Sequence, residues 1–397
     1  MINVDQALQL IAEQSIVVTS EMVPLNLALG RILATPINAD RDFPPYHRIT
    51  MDGIAIRFQD FLLGKRQFSI QGVQAAGDAP LTLNKEHACL EVMTGAVLPK
   101  MADTVIRYED VEIKDNTATI LVDQLKEGQN IHGQGSDRKQ GTEIIPPGTK
   151  IRAAEIAILA SVGKTTVEVK TLPRIAVIST GDELVQVSLQ PLPHQIRRSN
   201  SHMLEAALNE NGYTATLHHL NDDKQEILVA LQQLLEENEV IILSGGVSKG
   251  KFDYLPDALA ELGVGKVFHK VKQRPGKPFW FGNSTKHNTI IFALPGNPVS
   301  TFICAHHYVI PWLNNQSGQQ QGIDLKYKLS ENVHFKPDLT YFVPVKLGLS
   351  GEEIVAYPFK GNGSGDFANL VHADGFVKLP KGEMVYNKDQ FYNYYKF

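Results

Sequence analysis

The chain has 397 residues, with 38 Lys and Arg against 43 Asp and Glu, a net charge of −5, and 43% hydrophobic residues. This composition is ordinary for a folded chain, and at roughly 150 residues per domain it predicts two to four domains. No apolar run approaches the roughly 18 residues of a membrane helix. The start, Met1-Ile-Asn-Val-Asp5, carries an acid where a secretory leader is basic, and no Lys/Arg cluster suits a phosphate backbone. The expectation is a cytoplasmic protein with neither nucleic-acid nor membrane partners. Cys89 and Cys304 are too few for a disulfide framework or a cysteine zinc site.

In chain order, apolar residues at Ala7, Leu8, Ile11 and Ala12, then at Leu25, Leu27, Ala28 and Leu29, predict two short helices. From Pro44 to Asp137, short runs such as Cys89–Met93, Thr104–Tyr108 and Ala118–Val122 between Gly, Pro and Asp predict a β-rich insert. Ile151 to Val162 reads as a helix ended by Gly163, placed to rejoin the first helices. From Pro173 to Asn314, strands and helices alternate. Strands are expected at Arg174–Ser179, Val240–Ser244 and Ile290–Leu294. Helices are expected at Ser201–Gly212, capped by Ser and Gly, and at Gln225–Glu237, Asp253–Leu262 and Val299–Trp312. This predicts a doubly wound α/β domain with a parallel sheet covered on both faces, and ligands beyond the carboxyl ends of its strands. Gln316–Gln321 reads as a linker, and Gly322–Phe397 as a small β-barrel or sandwich.

Three loops of the α/β region directly follow strands. Ser179-Thr-Gly-Asp-Glu183 gathers hydroxyls and two carboxylates at a strand end, with a capped turn as the alternative. In Leu243-Ser-Gly-Gly-Val-Ser-Lys-Gly-Lys-Phe-Asp253, Gly245 and Gly246 would let backbone N–H groups close on an anion. Gly245, Gly250 and Lys251 stand at Walker spacing, but Phe252 replaces the Mg²⁺-binding hydroxyl, so only the anion cradle is kept. Asp253 is either a ligand or the helix N-cap. Leu294-Pro-Gly-Asn-Pro-Val-Ser300 is fixed by Pro295 and Pro298, and offers Asn297 and Ser300 to a ligand.

Between the last two, Arg274 and Lys277 flank a stiff turn suited to an oxyanion, a solvated surface turn being the alternative. Outside this region, Asp52, Thr94 and Ser364 stand beside glycines. The pairs His218–His219 and His306–His307 are adjacent, so their side chains diverge and no zinc site is expected. A dinucleotide fingerprint broken by Arg138 at Gly133–Arg138 disfavours hydride transfer.

In order, Met51-Asp-Gly, Met93-Thr-Gly-Ala, Gly135-x-Asp137, Ser179-Thr-Gly-Asp-Glu, Ser244-Gly-Gly-Val-Ser, Pro275-Gly-Lys-Pro and Pro295-Gly-Asn-Pro-Val-Ser span nearly the whole chain. Together this set resembles the molybdopterin molybdenumtransferase family, the MoeA-type enzymes and the gephyrin E domain. The resemblance implies a multidomain α/β protein with four parts. These are a discontinuous helical linker and dimerisation domain (1–43 and 140–171), a β-rich insert (44–139), a molybdopterin-binding α/β domain (172–318) and a C-terminal β-barrel (319–397). It implies that molybdate and adenylylated molybdopterin, with Mg²⁺, give molybdenum cofactor and AMP. It further implies a homodimer with the active site between subunits, and molybdopterin adenylyltransferase as a candidate partner.

By the same resemblance, Ser248, Arg274, Lys277 and Ser364 match the molybdate positions, with Gly245, Gly246, Pro295, Pro298 and Ser300 around the substrate. Glu183, Asp222 and Asp253 are the candidates for the carboxylates that hold Mg²⁺, with Asp182 next in line. Asp253 and Glu183 form the catalytic set with Asp52, Thr94 and Asp137, the last three reaching the cleft from the partner subunit. Two departures stand out. His132 replaces the family's usual Arg with a titratable group, and Pro344 stands near the place of another Arg, with Lys346 as the candidate substitute. The alternatives are a molybdopterin adenylyltransferase, which resembles the α/β domain alone, and a gephyrin-like scaffold, whose linker and fused companion domain have no counterpart here.

Overall fold

A computed structural model describes residues 1–246, 254–319, 323–359, 363 and 365–397. The chain divides into two compact units, one of Met1–Ala34, Gly148–Ala153 and Thr166–Phe397, the other of Thr35–Pro147 and Ala154–Thr165. Among the described residues, no helix is long and apolar enough to cross a membrane.

The first unit is organised by a six-stranded sheet. Its strands are β1 (Ile175–Thr180), β2 (Ala215–Leu220), β3 (Val240–Ser244), β4 (Gly265–His269), β5 (Trp280–Ser284) and β6 (Thr289–Leu294). They lie in the order β2-β1-β3-β6-β5-β4. The first four are parallel, as the alternation predicts. The pairings of β5 with β6 and of β4 with β5 are antiparallel, so the sheet is mixed at one edge.

Residues alternate between two cores with period two, as a pleated strand requires. Ile175, Val177, Val240, Ile242, Ile290 and Phe292 enter one core, while Ala176, Ile178, Ile241, Leu243, Ile291 and Ala293 enter the other. Each fully buried aliphatic or Phe side chain stabilises the fold by about 1.5–3 kcal/mol. Helices α1 (Ser199–Glu210), α4 (Pro298–Cys304) and α5 (Ile310–Gln316) cover the first face. Helices α2 (Lys224–Glu237) and α3 (Leu255–Glu261) cover the second.

Three sequence expectations change in detail. The helix expected over Val299–Trp312 is interrupted by a π-helical turn at Ala305–Val309. Pro311 has no N–H to give the His307 carbonyl, so the regular ladder is broken just there. The second N-terminal helix is a single 3₁₀ turn, Leu25–Leu27, because only five residues separate Pro24 from Gly30. Helix α1 begins before Ser201, with Arg198 at the N-cap and no side-chain cap; Gly212 follows its end at φ +86° as expected.

The N-terminal helix Val4–Ala12 closes its first turn with a capping box between Asn3 and Gln6, and sends Val4, Ala7 and Ile11 into the first core. Ser20–Pro24 pairs with Thr166–Lys170, so the chain's beginning rejoins the segment that follows the second unit. At the C-terminal end, strands Leu325–Leu329, Thr340–Ser350, Glu353–Pro358, Gly375–Leu379 and Phe391–Lys396 close a five-stranded barrel. Val343, Val345 and Val377 fill the barrel, whereas Phe342 and Phe376 point the other way, into the α/β core.

The second unit carries another six-stranded sheet, with Gly53–Ile56 between Thr104–Arg107 and Ala88–Val92. Gly53 cannot be replaced there without displacement, because an added Cβ would lie 1.8 Å from the Ile106 carbonyl oxygen.

Candidate active site

Within the sheet, Ser179 pairs with Ser244 and Ser244 with Leu294. Parallel strands in this register end at one level, so the loops after β1, β3 and β6 leave together. They border a cleft of about 460 Å³, which Glu183, Asp222, Gly245, Gly246, Pro295 and Pro298 all line. This is the position beyond the carboxyl ends that the parallel topology predicts.

Three local devices shape the cleft. Gly181 sits at φ +131°, and a Cβ there would lie 2.4 Å from a Glu183 carboxylate oxygen, so glycine is what lets that carboxylate fold back over the strand end. The Asp182 carboxylate accepts the Asp222 backbone N–H at 3.0 Å, which ties the loop after β1 to the loop after β2. The Asn200 side-chain amide donates to Ser244 Oγ at 2.9 Å, to the Gly296 carbonyl at 2.7 Å and to Thr301 Oγ1 at 3.4 Å. Thr301 Oγ1 in turn donates to the Pro295 carbonyl at 2.5 Å. Ser300, expected to face a ligand, is buried in the first turn of α4 and does not border the cleft.

Arg274 and Lys277 are exposed on one turn. Arg274 lines a separate cavity of about 80 Å³ with Tyr341, Phe342, Pro344, Phe359 and Asp366. The turn is held from behind by Gln273, which is 0% exposed. Its amide donates to the Pro275 carbonyl at 3.1 Å, the Gly276 carbonyl at 3.3 Å and Cys304 Sγ at 3.5 Å, and its oxygen accepts the Tyr308 hydroxyl. Burial pushes the Cys304 thiol up to about 12, so it stays a packed, unreactive thiol.

The second unit brings two of its candidates together. The Asp52 carboxylate accepts the Thr94 backbone N–H at 2.6 Å, and this bond holds the carboxyl below its ordinary value. Asp137 accepts from His132 Nε2 at 2.8 Å, while Arg48 Nη2 donates to His132 Nδ1 at 3.2 Å. His132 thus stands between a guanidinium and a carboxylate. Ser248, Asp253 and Ser364 lie outside the described residues.

Residues 2–163 match the MoeA N-terminal region (domain I and II), 176–315 the probable molybdopterin binding domain, and 326–389 the MoeA C-terminal region (domain IV). A Synechocystis molybdopterin molybdenumtransferase is 41% identical over 369 residues, 92% of either chain. The chain belongs to the molybdopterin molybdenumtransferase family. That makes it a transferase of molybdenum cofactor biosynthesis. A Staphylococcus epidermidis molybdopterin molybdenumtransferase is 31% identical over 389 residues, 96% of this chain and 92% of its own. The crystal structure of a molybdopterin biosynthesis moeA protein from Pyrococcus horikoshii superposes with a TM-score of 0.86 at 25% identity, covering 100% of both chains. The matches run through the regions flanking the α/β domain, which favours the molybdenumtransferase over the adenylyltransferase alternative.

Sequence reasoning about this family member missed Asn200, Gln273 and Arg198, which also lines the cleft. Two signals were available: an Arg-Arg-Ser-Asn-Ser run at a helix start, and an amide directly before the cationic turn.

Proposed function

We propose that the chain transfers molybdenum from molybdate to adenylylated molybdopterin with release of AMP, as a cytoplasmic homodimer of four-domain protomers divided at the boundaries given above. The observation that carries this reading is the convergence of three strand-end loops on one cleft that contains both Glu183 and Asp222. Arg274 and Lys277 would receive molybdate, a tetrahedral dianion that fixed N–H donors hold without adding negative charge. Gln273 keeps their turn in one conformation, so the donors are oriented before the substrate arrives.

Glu183 and Asp222 suit Mg²⁺, which needs only one or two carboxylates beside substrate phosphates, and no group of three metal-type ligands occurs among the described residues. When bound, that ion would neutralise phosphate oxygens. Asp253, with Asp52, Thr94 and Asp137 of a second copy, would complete the cleft. Molybdopterin adenylyltransferase would be the partner that delivers the substrate.

The test is AMP release from adenylylated molybdopterin as molybdate is titrated. Lys277→Ala is expected to lower kcat/KM for molybdate by about 10- to 100-fold, and Glu183→Gln to lower kcat by a similar factor. No AMP release from the native chain at saturating molybdate and Mg²⁺ would overturn the reading.

A further inference from the structure

The start of α1 borders the cleft and has no role in the reading above. Arg198 takes the N-cap position, yet its side chain makes no cap hydrogen bond and pairs with no carboxylate among the described residues. Its charge reaches the neighbouring His219, whose pKa is lowered first by burial and then by Arg198. The next three residues, Ser199, Asn200 and Ser201, are the first turn of a twelve-residue helix, whose N–H groups lack intrahelical acceptors and carry the positive end of the helix dipole.

Two side chains supply an independent observation. Ser201 is 4% exposed and Thr180 6% exposed, both border the cleft, and neither hydroxyl has a hydrogen-bond partner among the described residues. Buried polar groups are nearly always paired, so two unpaired hydroxyls facing one cleft mark places where a ligand atom completes the bonding. A guanidinium, two hydroxyls and free first-turn N–H groups are all able to donate. The matching ligand is therefore a group with several acceptor oxygens and negative charge. Glu183 and Asp222 in the same cleft repel such a group, so it needs fixed donors of this kind to be held there.

We infer that Arg198, Ser201, Thr180 and the first turn of α1 form the arm that holds a phosphate group of the ligand's phosphoanhydride. Naming the phosphoanhydride as the source rests on the proposed function; the arm itself rests on the donors. The arm reads phosphate, not the base, so it serves either half of an adenylylated substrate.

Calorimetric titration of the full chain with inorganic pyrophosphate, AMP and adenosine tests this, with thermal melting to confirm that each variant is folded. Arg198→Gln is expected to weaken pyrophosphate and AMP about tenfold or more and to flatten the salt dependence of their affinity. The double variant Ser201→Ala, Thr180→Val is expected to weaken both several-fold, with adenosine unaffected. A loss on both anions with adenosine unaffected supports the arm; a loss confined to AMP would overturn it, because an arm that reads phosphate must also hold pyrophosphate. Unchanged pyrophosphate and AMP affinities in Arg198→Gln and in the double variant would overturn the inference, as would a native chain that binds neither anion.

The proposed function fails separately. If the native chain releases no AMP from adenylylated molybdopterin while Arg198→Gln still loses pyrophosphate, the arm stands and the assigned reaction falls.

Discussion

At the cleft beyond the sheet, the hydroxyls of Ser201 and Thr180 have no partner among the described residues and border open space. Where the π-helical turn after α4 meets the barrel, His306 and His307 also leave ring nitrogens without a partner among the described residues, but in a sealed environment. His307 is 2% exposed and packed against Phe342, Phe376, Tyr395 and Tyr308. A few residues away, Gln273 is equally buried and fully bonded. The comparison separates two meanings of an unpaired polar group. Open to a cleft it is a binding element of small energetic consequence in the free protein; sealed in a core it is a liability that titration exposes.

The largest expected effect tests the sealed side. Burial pushes His306 from the ordinary 6.5 down to about 4, and His307 from 6.5 down to about 3 with a smaller contribution from Lys378. Both are neutral when folded and take up protons on unfolding, so the unfolded state binds more protons below about pH 6.5. Stability should therefore fall as pH drops from 6.5, and level off once the folded pair protonates near 4 and 3. The loss should be of the order of 3 kcal/mol for each imidazole. Urea titrations between pH 7.5 and 4 measure it, and His307→Phe should remove about half of the slope. An unchanged slope in that variant would break the contrast.

Next in size, Gln273→Leu would leave the Tyr308 hydroxyl and the Pro275 and Gly276 carbonyls without their partner. A cost of about 2–4 kcal/mol is expected in urea melts at pH 7.5, with a raised KM for molybdate. A cost below about 1 kcal/mol would mean that the turn holds itself. The smallest effect sharpens the open side. Thr180→Val and Ser201→Ala remove hydroxyls without a partner among the described residues, so each should shift stability by less than about 0.5 kcal/mol. A larger loss in unfolding midpoint would show that these hydroxyls are structural.

Much of this architecture is written in local pattern. The runs that become β1, β3 and β6 are apolar on both faces, which predicts buried parallel strands, and the loops after them come from glycines and prolines at their ends. The antiparallel strands β4 and β5 escaped because Lys266, Asn283 and Gly282 blur their pattern at a sheet edge. The arm at Arg198 was hidden by a boundary: starting α1 at Ser201 turns Arg198, Ser199 and Asn200 into loop residues. The Asp52–Thr94 bond joins residues 42 positions apart, so each motif was visible but their pairing was not. The partners of Gln273 are tertiary in the same sense, since Cys304 and Tyr308 reach it from α4 and the turn that follows.

The side-chain amide of Asn200 has a consequence for how the cleft can vary. One carboxamide grips Ser244, Gly296 and Thr301, so it works as a keystone for loops that come from separate stretches of chain. Changes in those stretches cannot act as independent adjustments: a substitution in one is felt by the others through the shared grip, and its effect depends on what the others already are. Retuning this cleft for a different ligand would call for concerted replacements across all of them.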